Sequence, residues 1–176
     1  YFNGQYFDLS NNFMFAQFQP WGGAQFNINV NKGTGVDFAN TRKADILTVS
    51  PGFTLQLGRH LQTSMNYNHQ QLDVAGGRLY STDLVDMRLT WQFNINSFVR
   101  LILVHSDTQR NPALYRNPID SRSRSLSSQL LYSYRFNAQT RFFVGYSDSA
   151  RQNDALEELT ATSQSVFAKF SYAWQL

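Results

Sequence analysis

The sequence has no cysteine, and charged residues make up only 15% of it, against roughly 25% in an average globular protein. A chain without Cys escapes misbridging in an oxidising compartment such as the bacterial periplasm. No run approaches the roughly 18 apolar residues of a membrane helix, and mean hydropathy is −0.40, which excludes a helical membrane protein. No basic block stands out, and the net charge is only +3, so nucleic acid is a poor partner. The chain starts at Tyr1 and shows no signal peptide, which leaves open both a removed leader and missing upstream sequence. No segment has a helical period.

What fills the chain is aromatic and uncharged polar: fifteen Phe, nine Tyr and three Trp, with abundant Asn, Gln, Ser and Thr. These two sets alternate. Val166, Ala168, Phe170, Tyr172, Trp174 and Leu176 fall on one face of a terminal strand, and Ser165, Phe167, Lys169, Ser171, Ala173 and Gln175 on the other. Val85, Met87, Leu89, Trp91 and Phe93 alternate with Asp86, Arg88, Thr90 and Gln92. The same period of two, the mark of a two-faced strand, runs through segments beginning near positions 13, 24, 47, 61, 99, 126 and 141. In the segment around Val99, Leu101 and Leu103 both faces are apolar, so its register is open. Residues 1–9 predict a tenth strand.

Connections alternate in length. Tight turns are predicted at Gln19–Gly23, Leu57–His60, Asn94–Ser97 and Asn137–Gln139, and long loops at Asn31–Asp45, Gln70–Leu79, Asp107–Arg124 and Ser149–Ser163. Short turns on one side and long loops on the other are how outer-membrane barrels are built, and strands of about ten residues suit a tilted crossing. The spacing therefore predicts an all-β, antiparallel up-and-down transmembrane β-barrel over residues 1–176, with nine or ten strands. It is either closed on itself or the C-terminal portion of a wider wall. Tyr67, Trp91, Phe93, Tyr134, Phe136, Tyr172 and Trp174 sit near strand ends, where girdle aromatics anchor. If hydrocarbon lies outside, Phe170, Leu130 and Leu89 must not meet in a dry centre.

The terminal stretch Phe170-Ser171-Tyr172-Ala173-Trp174-Gln175-Leu176 resembles the C-terminal assembly signal of outer-membrane barrels. That resemblance implies recognition by the barrel-assembly machinery through Phe170, Tyr172, Trp174 and Leu176, although the signal more often ends on Phe or Trp. The last eighty or so residues also resemble a family in which a family-nine carbohydrate-binding-like domain precedes a large outer-membrane barrel. Leu89-Thr90-Trp91-Gln92-Phe93, Leu130-Leu131-Tyr132-Ser133-Tyr134-Arg135-Phe136, Phe143-Val144-Gly145-Tyr146 and the terminal strand carry the likeness. It implies that the chain is the tail of a longer protein.

Chemistry-bearing residues are few. His60, His69 and His105 have no metal-ligand spacing, and neither metal nor cofactor is expected. His105 and Ser106 are adjacent, so a strand points them to opposite faces; an ordinary interfacial histidine is the simpler reading. Asp83 with Asp86, or Asp107 with Asp148, offer acid pairs resembling the carboxylate–histidine sites of rim proteases, but solvated loop acids explain them as well. Gly33, Gly35, Gly76 and Gly77 read as turn glycines. Asp154, Glu157 and Glu158 either hold divalent cations shared with lipopolysaccharide or simply solvate a loop.

The inward charges say more. Arg88, Arg100, Arg135, Arg141 and Lys169, with Asp86 among them, all fall on the polar face. A charge on the lipid face would cost about 2–4 kcal/mol. A basic lumen favours anions, while arginines paired with a plug or with further strands are the structural alternative. The expectation is an outer-membrane channel or translocation pore for small or anionic solutes, not an enzyme. The alternatives are a scaffold barrel with a plugged interior and partner-binding loops, and a rim hydrolase. Its expected surroundings are membrane lipid, lipopolysaccharide and a periplasmic or plug domain.

Overall fold

A computed structural model describes residues 1–156 and 158–172. It contains nine strands: β1 (Asn11–Trp21), β2 (Ala24–Asp37), β3 (Arg42–Leu57), β4 (Leu61–Val74), β5 (Gly77–Asn94), β6 (Ser97–Arg110), β7 (Arg122–Arg135), β8 (Thr140–Gln152) and β9 (Thr160–Tyr172). Each is antiparallel to its sequence neighbours, and the spatial order is β1 to β9 without a crossover. One short 3₁₀ turn, Pro112–Leu114, sits in the β6–β7 loop.

Register decides which side chains share a face. Leu89 lies opposite Leu101, Leu101 opposite Leu130, Leu130 opposite Tyr146 and Tyr146 opposite Val166. The next row runs Trp91, Val99, Tyr132, Val144, Ala168. Val99, Leu101 and Leu103 therefore belong to the apolar face, which settles the open register of β6. Ile102 and Val104 sit on the polar face, opposite Arg88 and Asp86.

This apolar face is not a core. Leu130 is 46% and Phe170 63% exposed, and among the described residues only Ala24, Ala44, Leu72 and Leu79 are buried hydrophobics. A water-soluble chain of this size would bury far more. A sheet with a continuous greasy exterior and a satisfied hydrogen-bond ladder suits hydrocarbon, where every backbone polar group needs a partner within the protein. On β5 the outward apolar residues run from Val85 to Phe93, a height of about 19–21 Å for a strand tilted by 40–45°. Aromatics gather at the tight-turn end. Tyr134 and Phe136 meet edge-on at 4.8 Å, Phe136 lies 6.3 Å from Phe170, and Trp91 stacks on His60 at 6.0 Å.

The strands are longer, and the loops shorter, than expected. The predicted loop at Asn31–Asp45 is mostly strand, with only residues 38–41 between β2 and β3. The predicted loop at Gln70–Leu79 shrinks to Ala75 and Gly76. Gly76, in the turn, and Gly77, the first residue of β5, have φ of +109° and +123°, which side chains resist. Gly33 and Gly35 are not turn residues but lie inside β2. Beyond the lipid a strand needs no apolar face, so its alternation fades while its hydrogen bonds continue. Residues 1–9 form no tenth strand; only an isolated Phe2–Gln5 bridge is present. Among the described residues no pairing joins β1 to β9, and both are exposed along their whole length.

Candidate functional site

The six residues expected on the interior do share one face. Arg88 pairs across with Ser64, Thr90 with Arg100, Asp86 with Asn66, Arg135 with Arg141, and Lys169 with Phe143. Five cations thus face one carboxylate. Arg135 donates to the Ile95 carbonyl at 2.9 Å and Arg100 to Thr90 Oγ1 at 3.3 Å, while the Arg100 guanidinium lies 5.2 Å from the Phe98 ring centre. Among the described residues none of the five is in an ion pair. Between β3 and β6 this face forms a cleft of about 210 Å³ lined by Thr54, Gln62, Ser64, Arg88, Thr90 and Arg100. Packing also shapes this face: the Phe167 ring covers Gly145, where an added Cβ would come within 2.4 Å of it.

At the opposite end from the tight turns, the β6–β7 loop folds back over the polar face. Leu114 and Tyr115, together with Ile46, Val74 and Tyr80, pack against a buried cluster of Ala44, Leu72 and Leu79. Asp37, 3% exposed, is held by Asn40 Nδ2 at 2.7 Å and by Arg42 Nε at 2.8 Å. Arg42 also donates to the Leu114 carbonyl at 2.7 Å, and the Arg116 amide donates to Asn40 Oδ1 at 3.1 Å. Burial pushes the Asp37 carboxyl up, but hydrogen bonds from Asn40 and Arg42 outweigh it, and the group ends below its ordinary value. This rim network is not legible in the sequence. Its members lie 72–76 positions apart, and only the polar Asp-x-x-Asn-x-Arg run, ordinary for a loop, marks it.

A third cluster lies on the apolar-face side of the strands, just past the greasy band. Asp83 accepts from the Tyr67 hydroxyl and pairs with His69 Nδ1 at 2.7 Å. Neither acid pair raised by the sequence forms. Asp83 and Asp86 point to opposite faces. Asp107 is clamped by Arg122 at 2.6 and 3.1 Å and by Arg124 at 3.1 Å, whereas Asp148 accepts from Ser128. His60 Nδ1 lies 2.6 Å from the Gln92 carbonyl. His105 Nδ1 contacts the Ser125 carbonyl at 2.9 Å while Ser106 pairs with the Ser125 hydroxyl on the other face, so these two neighbours diverge. Asp154 accepts from Ser121 and from the Arg122 amide, which ties two loops together. Glu158 contributes its carbonyl to Thr160. Glu157, and the assembly-signal residues Trp174 and Leu176, lie outside the described residues; Phe170 and Tyr172 stand on the apolar face of β9.

No protein-family model matches the chain, and no curated protein matches it in sequence. Its structure is similar to that of OmpT, an outer membrane protein of Vibrio cholerae folded in vitro, with a TM-score of 0.59 and 13% identity. The match covers 94% of this chain and 56% of that one. The fold is that of an outer-membrane β-barrel wall. The chain spans about half the length of that protein, and at this identity the likeness speaks for the fold.

That likeness also corrects the expectation that the chain is not an enzyme. The outer-membrane fold shared with OmpT leaves a hydrolase open, since one fold hosts many chemistries. The wall itself brings His69 to Asp83. The sequence hides this contact because the two residues sit on different strands, on either side of a stretch whose pattern reads as loop.

Proposed function

We propose that these nine strands form part of the wall of an outer-membrane channel for small or anionic solutes, with the polar face lining the lumen. The observation that carries this reading is the charge of that face: Arg88, Arg100, Arg135, Arg141 and Lys169 without an ion pair among the described residues. A basic wall in a low-dielectric surround attracts anions and repels cations.

Among the described residues β1 and β9 do not pair with each other, which fits a section of a wider barrel. Nine strands matching 56% of the OmpT chain scale to about sixteen, the size at which barrels hold an aqueous lumen. The resemblance to barrels that follow a carbohydrate-binding-like domain would make this section the C-terminal one, assembled through its last strand. Conductance of the intact protein in planar bilayers tests the channel. The expected result is a current with anion preference, which neutralising Arg88, Arg135, Arg141 and Lys169 together shifts toward cations. Silence from a folded, full-length barrel rejects the channel and leaves a plugged scaffold.

A rim hydrolase is the second reading, favoured by the His69–Asp83–Tyr67 cluster at headgroup level. A carboxylate on Nδ1 fixes the imidazole so that Nε2 can act as a base. Ester or peptide hydrolysis at vesicle surfaces, abolished by His69→Ala and kept by His105→Ala, would favour it over the channel.

A further inference from the structure

We propose that the cleft between β3 and β6 on the polar face is a binding station for tetrahedral oxyanions of the phosphate class. This rests on reading that face as the lumen, and it names the solute. The six lining residues make a compact patch. Thr54 lies opposite Ser64, and Ser64 opposite Arg88; Gln62 lies opposite Thr90, and Thr90 opposite Arg100. Arg88 and Arg100 are therefore diagonal neighbours across β5 and β6, about 7–8 Å apart at the backbone.

Three features point to an oxyanion. First, two guanidiniums at a diagonal repel each other, and an acid at position 62 or 64 would have neutralised them. The chain has Gln and Ser there, and no carboxylate lines the cleft. Second, the remaining groups are donors able to complete a coordination shell: three hydroxyls and a primary amide. Third, a guanidinium presents a planar fork that matches two oxygens of one phosphate, which a monatomic anion cannot use. Arg100 is already oriented, by Thr90 and by the Phe98 ring. Arg88 is exposed and has no partner in the described structure, so its fork is free. At about 210 Å³ the cleft is smaller than the roughly 300–1,000 Å³ of a drug-sized ligand site. It suits a small ion or the phosphoryl end of a longer solute.

The test is calorimetric titration of inorganic phosphate into the intact protein in zwitterionic detergent, at constant chloride. Saturable binding is expected. Arg88→Gln with Arg100→Gln should weaken it at least tenfold, since charge-assisted contacts of this kind are each worth about tenfold or more. Arg88→Lys with Arg100→Lys, which keeps the charge and loses the forks, should also weaken it. Lys32→Gln with Lys43→Gln removes the same charge from the opposite face and should leave binding unchanged. If the glutamine pair fails to fold, the lysine pair decides. No saturable binding, or equal binding in the fork-deleted proteins, overturns the station. A bilayer separates this from failure of the channel. A current indifferent to phosphate keeps the pore and rejects the station; phosphate binding without current does the reverse.

Discussion

The two halves of β5 are held in different ways. From Val85 to Phe93 its outward side chains are greasy, half-buried at Val85, Met87 and Leu89 and exposed at Trp91 and Phe93, and among the described residues no loop folds over them. From Gly77 to Leu84 the outward positions are Arg78, Ser81 and Asp83, and stability comes from the other side, where Leu79 belongs to a buried cluster that Leu114 and Tyr115 of the β6–β7 loop pack against. One half relies on the solvent outside it, and the other on chain folded over it. The hydrogen-bond ladder is common to both, so the difference lies in the side chains alone.

Charge insertion should break that comparison most sharply. Leu130→Arg places a cation on the greasy face and should cost about 2–4 kcal/mol, whereas Gln129→Arg on the neighbouring polar position should cost almost nothing. Urea unfolding in lipid vesicles measures both, and equal losses would remove hydrocarbon from the account. In the rim half, Arg42→Ala strips a donor from Asp37 and from the Leu114 carbonyl. The expected cost is about 1–3 kcal/mol, confined to the loop. Limited proteolysis between residues 111 and 121 should speed up while the barrel's gel mobility stays native.

The rim half should also respond to acid. Asp37 has its folded value lowered, so its contribution is fully present above the ordinary carboxylate value near 4 and is lost as pH falls through the depressed one. Loop cleavage should therefore rise only below about pH 4, and Asp37→Asn should flatten the profile. A loop that opens between pH 6 and 8 would point to another group. The smallest effect belongs to the turn-end aromatics. Phe136→Ala loses its edge-on contact with Tyr134, about 0.5–1.5 kcal/mol, and should lower the urea midpoint without changing conductance.

How far residues alone reveal this molecule follows from the same contrast. Where lipid lies on one side and polar groups on the other, as in Val85–Phe93, alternation exposes the strand and both of its faces, and the cations of the polar face follow from spacing alone. Past the greasy band the alternation vanishes, so Gln70–Leu79 reads as loop although it is nearly all strand. The rim network joins Asp37, Asn40 and Arg42 to Leu114 and Arg116, and no local pattern encodes so distant a meeting. The His69–Asp83 contact is hidden for a related reason, because it depends on a β4–β5 register that the supposed loop conceals. The cleft at Arg88 and Arg100 is half visible. Spacing assigns the face, but not the diagonal that brings the two guanidiniums together.

The strand count carries a geometric consequence. In a meander that reverses at every turn, the first and ninth strands run in the same direction. Joining them to each other would create one parallel seam in an otherwise antiparallel cylinder. A seamless cylinder is reached only by adding an odd number of strands between those two borders, which makes the total even. Bacterial outer-membrane barrels obey that arithmetic, so a tenfold count is the smallest ring this sheet can enter without breaking its own alternation.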